Sequence, residues 1–576
     1  MDRISTSEKF FNLLKQINLG TVIQTSVALL VLFLVLYPIG WLWLGSLRTD
    51  PFTPDYTITW YVKIFTDEIL WQRLANTFFI TVGTGLMCLI LGVPLAWIVA
   101  RTDTPFRRRF ELVAVVPFMT APLIGAIAWI NLAAPRTGLL NLIYRQLFDP
   151  GLRYGPFNVY SLWGIIFCLG IYYSPYVFLF ASGALRSMDP ALEEASRVSG
   201  HGIFRTSFKI TLPLVYPAIT SGVLLAMVFA AGQFAIPALL GTPAQISVMT
   251  TTIYELMNRW PINRSLAAAI GNLLVLFTFL LLYIRGKLLS RGAFTTVTGK
   301  GYRPDVIKLG KWKYLTLSIC TLYSIVVFVL PMFALAYGSL VKFWSVKISL
   351  SRLTFWNYTY LFTEHSLTYV ALKNSLLLAL FGATVCVLIS SVISFMVHRG
   401  KSPWRHVLEY IAMMPVGVPG VVFAVGILLG WIRPPLALYG TLGILFVGYI
   451  SRFLPVGVRA SSSSLVQVHP ELEESARVAG TTWGGTLLRI TLPLIKPGVQ
   501  AGWMTLFIIF LREFGVSLFL YSPGNEVVSI MLYEFWEDGD MMRASAMSMV
   551  LIGITLISIY GMRRLTGADV SSITTG

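Results

Sequence analysis

The sequence predicts an all-α polytopic membrane protein of about twelve transmembrane helices, arranged as two homologous sets of six. Three observations carry that expectation. Of 576 residues, 56% are hydrophobic and only 12% charged, and the mean hydropathy is +0.73. The apolar residues gather into twelve runs, each long enough to cross a bilayer. A charged, proline-bounded segment recurs 280 positions further along the chain.

Soluble domains carry roughly 25% charged residues, so this chain lacks the polar surface to cover itself in water. Its 44 basic against 26 acidic residues give +18. In a soluble chain that excess would suggest nucleic acid; in a membrane chain it is the signature of the positive-inside rule, and placement decides between the two. The four cysteines, Cys88, Cys168, Cys320 and Cys386, lie inside apolar runs with no C-x-x-C pair, and read as small buried hydrophobes. The histidines at 201, 365, 398, 406 and 469 show no metal-ligand spacing. No metal site is expected.

In chain order, residues 1–21 contain Asp2, Glu8, Lys9 and Lys15 ahead of a long apolar run, which reads as a cytoplasmic N-terminus rather than a cleaved signal. A crossing helix needs about 20 apolar residues. The first module, 22–284, holds spans near 22–47, 76–100, 110–133, 161–184, 217–240 and 265–284. Residues 285–314, rich in glycine and cations from Arg285 to Lys313, read as a cytoplasmic linker. The second module, 315–564, holds spans near 315–340, 374–397, 407–432, 440–460, 498–520 and 543–562, and 565–576 form a tail. Pro94, Pro122 and Pro419 fall inside spans, where membrane helices tolerate them. With the N-terminus inside, 27 of the 44 Lys and Arg residues fall on the inner side and 13 outside, which places both termini in the cytoplasm.

The repeat lies between the fourth and fifth spans of each module. Asp189 to Ile219 reads DPALEEASRVSGHGIFRTSFKITLPLVYPAI, and His469 to Val499 reads HPELEESARVAGTTWGGTLLRITLPLIKPGV. Pro190 or Pro470 suits a first helical turn, and the carboxylates Glu193 and Glu194, or Glu473 and Glu474, suit its positive end. Gly200 or Gly480 can close that helix in a left-handed cap. The loops, 189–217 and 469–497, are therefore expected to form a short helix, a sharp turn and a second helix: a docking element.

These residues resemble the EAA signature, E-A-A-x3-G-x9-I-x-L-P, of the permease subunits of binding-protein-dependent ABC importers. Glu194-Ala195-Ser196, Gly200, Ile210 and Leu212-Pro213 match, as do Glu474-Ser475-Ala476, Gly480, Ile490 and Leu492-Pro493, each copy with serine at one alanine position. The resemblance implies two type I importer permease modules whose loops seat on a separate ATPase. It implies coupling roles for Glu193, Glu194, Ala195, Arg197 and Gly200, and for Glu473, Glu474, Ser475, Arg477 and Gly480. Two copies of a cytoplasmic ABC ATPase and a soluble or periplasmic binding protein are the implied partners, in a bacterial inner membrane. The chain itself is expected to catalyse nothing and to hold no cofactor, ATP and magnesium being bound by the ATPase. Two permease modules in one chain, with PLAWIVART (Pro94 to Thr102), PFMTAPLIGAIAW (Pro117 to Trp129) and the stretch from Phe510 to Gly539, further resemble the fused ferric-iron-type permeases. Ferric iron is then the implied solute; fused permeases for phosphonate, sugar phosphate, thiamine and polyamine are near relatives.

Arg512 and Glu513 are expected in the middle of the eleventh span, where charges usually face a partner or a water-filled path. Gln233 occupies the matching position of the first module, opposite Glu513, and Gly232 stands opposite Arg512. The three polar residues read either as lining the translocation pathway or as pairing with neighbouring spans. Arg264 and Arg433 read as outer-face anchors or binding-protein contacts. Gly400-Lys401-Ser402 imitates the end of a phosphate-binding loop, but Phe395 stands where that loop needs glycine. A secondary transporter explains the hydropathy and the duplication but not the paired EAA loops. A membrane enzyme would need a His, Asp or Ser constellation that is missing.

Overall fold

The computed structural model describes residues 19–149, 151–189, 191–291, 306–344, 350–400, 403–433 and 437–566. Most of the expected N-terminal segment, the middle of the expected linker, Pro190, Lys401-Ser402 and most of the expected tail lie outside the described residues. Among the described residues the chain forms helices and loops, with no β-strand beyond three isolated bridges.

The first half runs α1 (Leu19–Ser46), α2 (Glu68–Arg101), α3 (Arg107–Met119), α4 (Pro122–Ala133), α5 (Leu162–Ser187), α6 (Ala191–Val198), α7 (Leu212–Ala231), α8 (Met249–Asn258) and α9 (Arg264–Arg291). The second half runs α10 (Gly310–Leu340), α11 (Leu367–Arg399), α12 (Arg405–Gly417), α13 (Gly420–Trp431) and α14 (Leu442–Val466). It continues with α15 (Pro470–Val478), α16 (Leu492–Leu511), α17 (Val528–Glu537) and α18 (Met541–Thr566). Starts follow capping chemistry. The Asp67 carboxylate accepts the N–H groups of Ile69 and Leu70 at 3.0 and 3.2 Å at the head of α2, and Ser161 accepts that of Gly164 at 3.0 Å at the head of α5.

Ten helices are long and apolar enough to cross a membrane, and two bent pairs bring the number to twelve if each pair is one crossing. Here the structure corrects the sequence reading. The stretches 110–133 and 407–432 are not straight spans: α3 and α4 meet at 102°, and α12 and α13 at 113°. The cause is local. A residue before proline is pushed out of the helical region, and Ala121 before Pro122 (ψ 137°) and Val418 before Pro419 (ψ 121°) are both extended. The eleventh span is likewise shorter than expected, because α16 ends at Leu511 and α7 at Ala231. Arg512 and Glu513 therefore sit at a helix break, not in mid-helix.

The two halves embrace through their first helices. α1 packs on α13 of the other half, where Tyr37 Oη donates to the Gly430 carbonyl at 2.9 Å. α10 packs on α4 and α18, and Asn131 Nδ2 of α4 donates to Ser545 Oγ of α18 at 2.8 Å. In lipid such buried hydrogen bonds and tight contacts hold helices together, since tails are as apolar as the side chains. At the loop end, residues 307–309 lie on the first half: Ile307 bridges Thr102, and Leu309 N–H donates to the Asp103 carboxylate at 3.0 Å.

Candidate functional site

The two repeated loops fold alike. In the first, the Asp189 carboxylate caps α6 by accepting from Ala191 N–H at 2.9 Å. Gly200 then turns the chain at φ +81°, and Gly480 does the same at φ +84° in the second, a backbone region that glycine enters without a Cβ penalty. Beyond each turn a single π-helical turn, Ser207–Thr211 or Leu487–Thr491, leads into α7 or α16.

Within each loop the adjacent glutamates part company. Glu194 and Glu474 are exposed with Ala195 and Ser475, beside Val198 and Val478, which are 89% and 90% exposed. Glu193 and Glu473 point inward and are buried. Glu193 is ion-paired with Arg101 at the end of α2 and accepts from Thr211 Oγ1 at 2.6 Å. Glu473 is paired with Arg399 at the end of α11 at 3.1 Å and accepts from Thr491 Oγ1 at 3.1 Å. Each pair pins its short helix to the second long helix of its own half. Arg197 and Arg477 lie on α6 and α15, with side chains outside the described residues. Sequence reading missed Arg101 and Arg399; their signal was one arginine closing the second span of each half.

The polar positions 233, 512 and 513 meet at a cavity of about 240 Å³ between the halves. Tyr173, Tyr176 and Arg452 line it as well. Arg512 Nη2 reaches across to the other half and donates to the Phe118 carbonyl, at the end of α3, at 2.8 Å. Arg452 Nη1 donates to the Pro415 carbonyl near the end of α12. Each guanidinium thus caps the carbonyl end of a broken helix. The Glu513 carboxylate accepts from Val516 N–H at 3.0 Å, and Gln233 Oε1 from Phe234 N–H at 3.0 Å. Among the described residues no ion pair includes Arg452, Arg512 or Glu513. Nor do any three His, Cys, Asp or Glu side chains there converge as metal ligands. Arg452 is the residue that sequence reading passed over. It lay inside the expected span 440–460, and the depth rule that singled out Arg512 applied to it equally.

One wall of the cavity is aromatic and follows the duplication. Phe234 and Phe514, 280 positions apart, have ring centroids 5.8 Å apart. Behind them Tyr254 of α8 and Tyr533 of α17 meet at 6.2 Å. The four rings form one contiguous cluster, and Phe234 and Phe514 present its face to the cavity. Further out, Arg433 lies over the Phe52 ring at 3.7 Å, an anchoring contact.

Comparison with known proteins agrees with this arrangement. Residues 88–293 match the family model described as the binding-protein-dependent transport system inner membrane component. A ferric transport system permease protein of Actinobacillus pleuropneumoniae is 25% identical over 541 residues, 93% of this chain and 76% of that protein. A putative ferric transport system permease protein of Haemophilus influenzae is 25% identical over 88% of this chain and 78% of its own length. The chain is a fused two-module ABC importer permease. A single permease module also aligns alone: a spermidine/putrescine transport system permease protein of H. influenzae is 28% identical over 41% of this permease and 81% of itself. Among solved structures, a bacterial alginate ABC transporter in complex with an alginate-bound periplasmic protein matches at TM-score 0.36 and 21% identity, covering 45% of the permease and 97% of that chain.

Proposed function

We propose that the permease carries ferric iron across a bacterial inner membrane, both termini in the cytoplasm, driven by two copies of a cytoplasmic ATPase. The observation that carries the docking role is the pair of equivalent loops, each presenting an exposed glutamate and valine on a short helix braced by a buried ion pair. In this reading Glu194, Ala195, Glu474 and Ser475 contact the ATPase, while Glu193 and Glu473 hold the docking helix at a fixed angle. Gly200 and Gly480 set the turn between docking helix and span. The iron assignment rests on the relatives named for ferric transport that align along most of the chain.

In the proposed cycle a loaded binding protein docks on the outer face. ATP, bound with magnesium by the partner, draws α6 and α15 together. Because each is pinned to α2 or α11, their approach rotates the two halves and parts the four-ring aromatic cluster between them. The solute enters the cavity at Gln233, Arg512 and Glu513, and hydrolysis returns the halves to the arrangement seen here.

The test is ATP hydrolysis by the assembled complex in lipid, with a panel of loaded binding proteins, comparing wild type with Glu194→Ala/Glu474→Ala. Stimulation by a ferric-loaded binding protein, lost in the double variant, is the expected result. Stimulation only by a polyamine- or phosphonate-loaded protein reassigns the solute. Uptake under an ion gradient without any ATPase overturns the importer cycle.

A further inference from the structure

The geometry points to the cavity between the halves as a site for a small oxyanion, so that the solute passes this level as an oxyanion-bearing complex rather than as a bare trivalent cation. This deepens the transport reading above and rests on it for the direction of movement.

Charge comes first. Two guanidiniums, Arg452 and Arg512, face one carboxylate, Glu513, in a single cavity, and among the described residues none of the three is in a close ion pair. Charges at membrane depth are expensive and persist where a partner or pathway needs them. Each arginine spends one nitrogen on a helix-end carbonyl. Arg512 Nη1 is shut off from solvent and has no hydrogen-bond partner. A guanidinium holds five N–H donors in a planar fork suited to carboxylate or phosphate oxygens, so spare donors remain for such a group.

Backbone charge adds to this. Pro122 opens α4 and Gly420 opens α13, each helix being twelve residues long, and both starts line the cavity. A helix start carries roughly half a positive charge and unsatisfied N–H groups. Broken membrane helices that aim such starts at an anionic group are a recurring arrangement. Cavity space is sufficient as well. Beside Gly420 a methyl group would meet nothing closer than Arg452 Nε at 3.8 Å and Glu513 Oε1 at 3.9 Å. Taken together, two guanidiniums and two helix starts face one carboxylate and the helix ends at Phe118 and Pro415, and the balance stays positive by about one charge. A bare trivalent cation would be repelled here, whereas a phosphate, or a carboxylate chelating a metal, would be held.

The experiment is equilibrium binding of labelled inorganic phosphate to the complete permease–ATPase complex in discs of phosphatidylcholine, which lack anionic headgroups. Wild type is expected to bind one phosphate per permease, displaced by citrate. Arg512→Gln and Arg452→Gln should each weaken binding about tenfold or more. Glu513→Gln, which removes the opposing charge, should tighten it several-fold. That opposite sign cannot come from misfolding. No binding in wild type, or weaker binding in Glu513→Gln together with unchanged binding in Arg512→Gln, overturns the proposal. Binding that vanishes when phosphatidylglycerol is added to the discs gives the site to a lipid headgroup, and also overturns it. Iron enters none of these measurements, so failure of the iron assignment shows separately, as absent uptake of labelled iron with a working phosphate site.

Discussion

The repeated loops and the central cavity are both products of the duplication, yet the loops match throughout, while the cavity keeps the Phe234–Phe514 pair and diverges at its polar positions. At 200 and 480 the same residue adopts the same left-handed turn, π turns follow at equivalent positions, and each inner glutamate meets an arginine and a threonine. At 232 and 512 the halves differ completely. Gly232 lies so close to α13 that an added Cβ would stand 2.9 Å from Pro419 Cβ, while Arg512 extends to the Phe118 carbonyl. On the proposed function, a surface that meets the same partner twice is held to one shape. A cavity that meets one solute once is free to divide its labour.

The comparison breaks most sharply at the buried ion pairs. Removing one member of such a pair leaves an uncompensated charge, at a cost of about 3–5 kcal/mol. Glu193→Ala should free α6 and abolish co-purification of the ATPase, with hydrogen exchange rising over 191–211. Glu473→Ala should cost less, because Arg399 keeps the carbonyls of Leu465 and Val468 as partners and is 12% exposed. Equal losses would mean that the loops are energetically identical.

Gly232→Ala probes the cavity side. The methyl must displace the proline ring, an overpacking cost of about 1–3 kcal/mol read as a lower melting temperature of the complex. Smaller again is the stability effect of Glu194→Ala/Glu474→Ala, within about 0.5 kcal/mol for exposed positions. Transport should nevertheless fall, which would separate docking from folding.

The smallest effect concerns pH on the face away from the loops. His365 is held below the usual imidazole range, first by burial and then by Arg543. Its neutral form is the one favoured in the fold. The contribution is complete above about pH 6.5 and is lost as pH falls towards the lowered value. Exchange near Thr368 and Phe535, which His365 touches, should rise between pH 7 and 5.5, and His365→Gln should flatten that response.

Much of this was legible in the sequence because it is written in local patterns. The 280-residue repeat exposed the duplication, and the Pro-Glu-Glu…Gly order of each loop described its helix and turn. What stayed hidden depends on distant partners. Glu193 and Glu194 are chemically identical neighbours, and only Arg101, on another helix, decides which is buried. Hydropathy averages across Ala121-Pro122 and Val418-Pro419, so a bend of over 100° leaves no mark on it. Arg452 lay inside an expected span, and nothing local showed that the Pro415 carbonyl of α12 would meet it.

The bond from Arg512 to the Phe118 carbonyl has a consequence for ancestry. Two identical subunits about a two-fold axis must present the same residue to each other, either two arginines or two glycines. Joining the copies in one polypeptide lifts that restriction, since each can mutate while its neighbour stays fixed. The single cross-half arginine is thus a mark that only a covalent fusion, or two distinct genes, can bear.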